Sequence, residues 1–121
     1  MPHARINMHE SLRPRMAAMS AAILKAMVDG FAMPADDLFQ IFTLHQPGEL
    51  VFSRTFPKGA DREDVIYVEV LASPVYSPEQ MNRGLAAIAD ALAGIGIKRD
   101  NLILMVTQAN AWLSPAGAAR P

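Results

Sequence analysis

Apolar and polar positions alternate from the first residues. Ala4, Ile6 and Met8 interleave with His3, Arg5 and Asn7, the period of two that marks a half-buried strand beginning almost at Pro2. The period then lengthens. Met16, Met19, Ile23, Met27 and Gly30 follow at spacings of three and four, with Ser11 placed to cap a helix, Pro14 in its first turn, and Gly30 and Pro34 closing it. At helical spacing the methionines read as core or subunit contact, not as an adaptable binding face. The run Leu38 to Leu44 is apolar and β-preferring and predicts a second strand, so strand, helix and strand form a β-α-β unit with parallel strands.

A second unit has the same plan. Val65 to Leu71 is rich in β-branched and aromatic residues and reads as a central strand. Ser77 and Pro78 mark a helix start, with Gln80 placed to complete a capping box. Met81, Leu85, Ile88 and Leu92 form its apolar stripe, and Gly94 and Gly96 end it. Leu102 to Thr107 supplies the last strand. The expected fold is α+β, in two layers: two β-α-β units in a pseudo-symmetric protomer, making a mixed four-stranded sheet with two helices on one face. One domain spans 1–121, divided into a first unit (1–45), a long loop (46–63) with Leu50, Val51 and Phe52 as a short strand, a second unit (64–108) and a C-terminal tail (109–121).

Composition narrows the function classes. At 121 residues the chain is long enough to bury about two thirds of its unfolded surface. Eleven basic residues balance twelve acidic ones for a net charge of −1, which gives no footprint for nucleic acid. No run is long enough to cross a bilayer, and with no cysteine there is neither a disulfide nor a thiolate metal site; cytoplasm is the expected location. His3, His9 and His45 lie at no metal-ligand spacing, so no metal is expected. A hydrophobic fraction of 51% with only 19% charged residues predicts apolar surface facing other subunits.

Candidate chemistry starts at Pro2. An initiator methionine before a small residue is normally removed, which would leave Pro2 as a free secondary amine. An α-amine titrates near about 8, and burial or a neighbouring cation lowers that value. A strand starting here would pin the amine in place. Asp37 stands at the mouth of the second strand, either as an acid–base group or as part of a solvated turn with Asp36. Trp112, the only tryptophan, lies on the tail, where it would dock on the body or a neighbouring subunit or build a pocket wall.

Several stretches, taken in order, carry a family resemblance: Met1-Pro2 opening a strand, Pro34 to Ile41, His45 to Leu50, Arg62, Ser77-Pro78-Glu79-Gln80, and Asn110 to Ser114. On these the chain resembles the tautomerase superfamily, and within it the malonate semialdehyde decarboxylase-like branch. The resemblance implies a homotrimer, no cofactor, and a small keto, enol or unsaturated acid as substrate, with tautomerisation, hydration, dehalogenation or decarboxylation as the reaction. It implies catalytic roles for Pro2 and Asp37 and a pocket position for Trp112. One position departs from the pattern. Tyr76 stands where the decarboxylase-like members carry an arginine before the second helix, and a phenol has no positive charge with which to hold a carboxylate. Arg54 and Arg62 are candidate substitutes for substrate binding, with a solvated side chain for Arg54 and a structural ion-pair partner for Arg62 as their other readings. The alternatives are a member with a diverged substrate or little activity, and a non-enzymatic trimeric interaction protein.

Overall fold

The alternating pattern at the start of the chain becomes the strand β1, Pro2–His9, in the computed structural model, which describes residues 2–118 and side chains as far as residue 116. Its even-numbered residues Ala4, Ile6 and Met8 are fully buried. A 3-10 turn over Glu10–Arg15 follows and holds Pro14, and only then does the helix α1, Met16–Phe31, begin. Ser11 therefore lies inside the turn and does not cap α1. The strand β2, Gln40–His45, is next, then the long loop, β3 (Ile66–Ala72), α2 (Pro78–Gly94) and β4 (Leu102–Gln108). A four-residue helix, α3 (Pro115–Ala118), closes the described chain.

The sheet order is β2-β1-β3-β4. β1 and β2 are parallel, as are β3 and β4, while β1 and β3 are antiparallel and join the two β-α-β units along the middle of the sheet. Both helices lie on one face. Met19, Ile23, Met27 and Phe31 of α1, with Ile88 and Leu92 of α2, enclose the inward residues of β1 and β3. Fully burying each large aliphatic side chain stabilises the fold by about 1.5–3 kcal/mol. The other face carries the odd-numbered residues of β1 and their neighbours. Ile41 and Met105 are exposed there, and no element of the described chain covers them.

The start of α2 follows from its sequence. Ser77 Oγ accepts a hydrogen bond from the Gln80 backbone N–H at 3.2 Å, and Pro78 takes the first helical position. At its other end, Ile97 N–H reaches the Leu92 carbonyl and Gly96 N–H the Ala93 carbonyl, with Gly96 at φ 90°. This paired arrangement satisfies carbonyls that the helix leaves over.

Three expectations do not hold. Leu50, Val51 and Phe52 form no strand, since the loop folds on its own turns. Leu38 and Phe39 lie outside β2 and are exposed. Gly30 does not end α1, which runs on to Phe31 and stops at Ala32 in the left-handed conformation, φ 51°. Gly30 is instead a contact point between the helices. A Cβ on Gly30 would stand 2.7 Å from the Gly84 Cα, and a Cβ on Gly84 would overlap the ring of Phe31.

This packing makes a prediction. Gly84→Ala adds one methyl group where the ring of Phe31 already sits, and it should destabilise the fold by about 1–3 kcal/mol, even though alanine favours a helix by nearly 1 kcal/mol. Chemical denaturation of the two proteins measures the difference.

Candidate active site

Strand directions bring distant parts of the sequence to one end of the sheet. β1 starts there and β2 runs parallel to it, so the segment entering β2 lies there too. The antiparallel β3 ends there, and β4 ends beside it: Pro2 pairs with Ala72, which pairs with Gln108. On the β2 side Ala4 is level with Gln40, and its N–H donates to the Phe39 carbonyl at 3.1 Å. The start of β1 and the segment entering β2 with Asp37 therefore lie at the same end of the sheet. Pro2, Asp37, Tyr76 and Trp112 thus belong to one end of the molecule.

A cleft of about 770 Å³ opens at this end, within the range typical of small-molecule sites. One wall is His3, Pro34 and the continuous run from Asp37 to Ile41. The other is the tail, with Trp112, Leu113, Ser114 and Ala116. Leu38 and Phe39 are unavailable to β2 because they turn into this cleft. The tail is held back on the sheet by Ala109 N–H, which donates to the Ala72 carbonyl at 2.8 Å.

Tyr76 follows β3 at the same end of the sheet but is not part of the cleft lining. Its ring meets that of Phe31 edge to face, with centroids 5.4 Å apart, a favoured aromatic geometry. Burial, and secondarily the charge of Asp37, raises its phenol above the ordinary value of 10.0, so it remains a neutral hydrogen-bond donor. His3 is the polar group that sequence reasoning missed. Burial first, and then the Arg5 guanidinium, hold its imidazole below the ordinary 6.5, against the opposing carboxylates of Glu69 and Asp37. The available signal was parity: position 3 points away from the core in a strand whose even residues point in, immediately beside Pro2.

The two arginines do not come to this end within the chain. Arg62 precedes β3 and lies at the opposite end, only 5% exposed. Its Nε donates to the Asp100 carbonyl at 2.8 Å, and one terminal nitrogen donates to the carbonyls of Ser53 and Phe56 at 2.6 and 2.7 Å. These bonds tie the long loop to the start of β4. Its structural partners are carbonyls, not the carboxylate expected of an ion pair. Arg54 is exposed on the same loop, and its carbonyl accepts from Arg62 N–H at 2.9 Å. Among the described residues, no group of three or more His, Asp or Glu side chains is arranged to hold a metal ion, and no helix is long and apolar enough to cross a membrane.

The fold and the position of this cleft define a class. The family model described as tautomerase enzyme matches residues 37–112, more than half of the sequence, and the chain belongs to that family. Among solved structures it is similar to the FG41 malonate semialdehyde decarboxylase inhibited by 3-bromopropiolate, with 26% identity, 98% of each chain covered and a TM-score of 0.81. It is also similar to a second malonate semialdehyde decarboxylase, described with decarboxylase and hydratase activities, at 28% identity and a TM-score of 0.79 over 88% of this chain and 83% of that one. A fused 4-OT symmetric trimer shares the fold alone, with 14% identity and a TM-score of 0.73 over 98% of this chain and 99% of that one. A search of curated protein sequences returned no match.

The state of His3 leads to a pH prediction. Its lowered pKa means that the folded protein binds a proton there less readily than the unfolded chain, so stability should be full above 6.5 and fall as the pH drops from 6.5 toward the lowered value. Denaturation midpoints across that window should show a shallower slope in His3→Gln than in the wild type.

Proposed function

We propose that this protein is a cofactor-independent enzyme that moves a proton on a small keto, enol or unsaturated substrate, with Pro2 and Asp37 as its acid–base pair. The observation behind the reading is that the start of β1 and the segment entering β2 lie at one end of the sheet, where Asp37 lines a cleft. After loss of Met1, Pro2 is a secondary amine at the start of a strand, buried and paired with Ala72 of β3. Such an amine loses hydration as a cation, which favours its neutral, basic form near neutral pH. Asp37 accepts or returns the second proton or orients water. Tyr76 and Trp112 complete the surroundings, one as a neutral donor and the other as a wall.

Membership of the tautomerase family and likeness to two malonate semialdehyde decarboxylases support this reading. Among the reactions of the family, proton transfer between carbon and oxygen fits this site best, since it needs no cation to hold a carboxylate. Arg54 and Arg62 are left with no part in binding from within the same protomer; as substrate-binding groups they would have to serve a neighbour's cleft.

We also propose that the protein works as a homotrimer. The apolar residues on the uncovered sheet face, Ile41 and Met105 among them, are what a subunit contact would bury.

Two measurements test these readings. Asp37→Asn should preserve the fold and lower kcat by about 10²–10⁴-fold, the usual contribution of a positioned acid or base, with KM little changed; Pro2→Ala should do the same or worse. An alkynyl ketone should add once to the wild type, its alkyne carbon bonding to the Pro2 nitrogen and the amine proton passing to the adjacent carbon, and intact mass would rise by the full mass of the reagent. No adduct and no loss on either substitution would end the reading. Light scattering at micromolar concentration should give three times the chain mass, and a monomer mass would reject the trimer.

A further inference from the structure

The cleft differs from a small-acid site in three ways. Its lining is mostly apolar, with Leu38, Phe39, Ile41, Trp112 and Leu113 on facing walls. Its volume of about 770 Å³ is several times what a three-carbon acid fills. Among the described residues its lining includes no lysine or arginine: Asp37 is the carboxylate there. Arg5, outside the lining, stands on the uncovered sheet face and faces Glu69 at 3.9 Å, and its charge reaches the cleft at His3. A carboxylate brought into the cleft would meet the field of Asp37 and give up its hydration, with no described lysine or arginine in the lining to pair with it.

We infer that the cleft takes an uncharged, aryl-substituted keto–enol, its ring between Trp112 and the Leu38–Phe39 wall and one carbonyl oxygen accepting a hydrogen bond from the imidazole N–H of His3. His3 acts here as a specificity residue. The lowered imidazole pKa suits the role, since a neutral ring keeps one donor and one acceptor at neutral pH. Tyr76 supplies a second neutral donor close to Asp37. The chemistry is an isomerisation that balances on its own: the enol O–H bond breaks, its electron pair forms the carbonyl π bond, and the π pair of the C=C takes up a proton at carbon. The assignment rests on the preceding reading only for the identity of the base.

Calorimetric titration at neutral pH with two probes tests it. One is 1-phenylbutane-1,3-dione; the other is its analogue with the methyl group replaced by a carboxylate, 2,4-dioxo-4-phenylbutanoate. The uncharged diketone should bind the wild type at least tenfold more tightly than the acid. His3→Leu should lose about tenfold for the diketone, and His3→Gln, which keeps a donor, should stay within about threefold of the wild type. Tyr76→Arg adds a cation near Asp37 and should narrow or reverse the preference.

Equal affinity for the probes, or tighter binding of the acid, would overturn the inference. A preference for acid that vanishes in Arg5→Gln would identify Arg5 as the holding group instead. Unchanged diketone binding in a folded His3→Leu protein would remove His3 from the site. Turnover is read separately: if the diketone binds as expected but ketonises equally fast with Pro2→Ala, the proposed base fails and the specificity stands.

Discussion

The arrangement depends on how closely the two helices approach. Neither Gly30 nor Gly84 has a side chain, and the ring of Phe31 fills the space that this leaves over Gly84. Protein interiors are packed as densely as organic crystals, so the gap between the helices is set by a ring and a missing methyl group, with little slack. Phe31 in turn supports Tyr76 edge to face, and the charge of Asp37 reaches the Tyr76 phenol. A packing choice between helices thus supports a polar group that feels the charge of Asp37.

Electrostatics at the cleft are decided by what surrounds each group. His3 has a guanidinium two residues away and the carboxylates of Glu69 on β3 and Asp37 before β2 near it, and its own burial outweighs the latter. Tyr76 is pushed the opposite way in pKa but toward the same end, neutrality. A cleft whose imidazole and phenol are both neutral, with its carboxylate supplied by a turn, is suited to moving protons between oxygen and carbon. It is poorly suited to gripping a fixed charge.

Much of this was legible in the sequence because burial has a period. The alternation in β1, the β-branched run of β3 and the Ser77-Pro78 start of α2 each follow from local rules, and the parallel pairing within each unit follows from the helix between the strands. The positions of Pro2 and Asp37 at strand mouths were readable too. The illegible parts involve contacts between distant residues. Gly30 reads as a helix stop because glycine usually breaks helices, yet its use is to admit Gly84, 54 positions on. Arg62 has no local signature, since its partners are carbonyls scattered over Ser53, Phe56 and Asp100. Leu38 and Phe39 have strand propensity, and only the tail across from them shows why they leave β2. His3 required knowing both which face the helices cover and where the tail lies.

The clamp around Arg62 has a consequence for how this fold can change. β3 is seven residues long, so the clamp and the cleft are roughly 20 Å apart at about 3.3 Å per residue, and they share no side chain. Energetic effects at such separations usually add with little coupling. One end of the sheet can therefore absorb substitutions that reshape recognition while the other end holds a reserve of stability against them. The molecule is divided into a part free to vary and a part that makes the variation survivable.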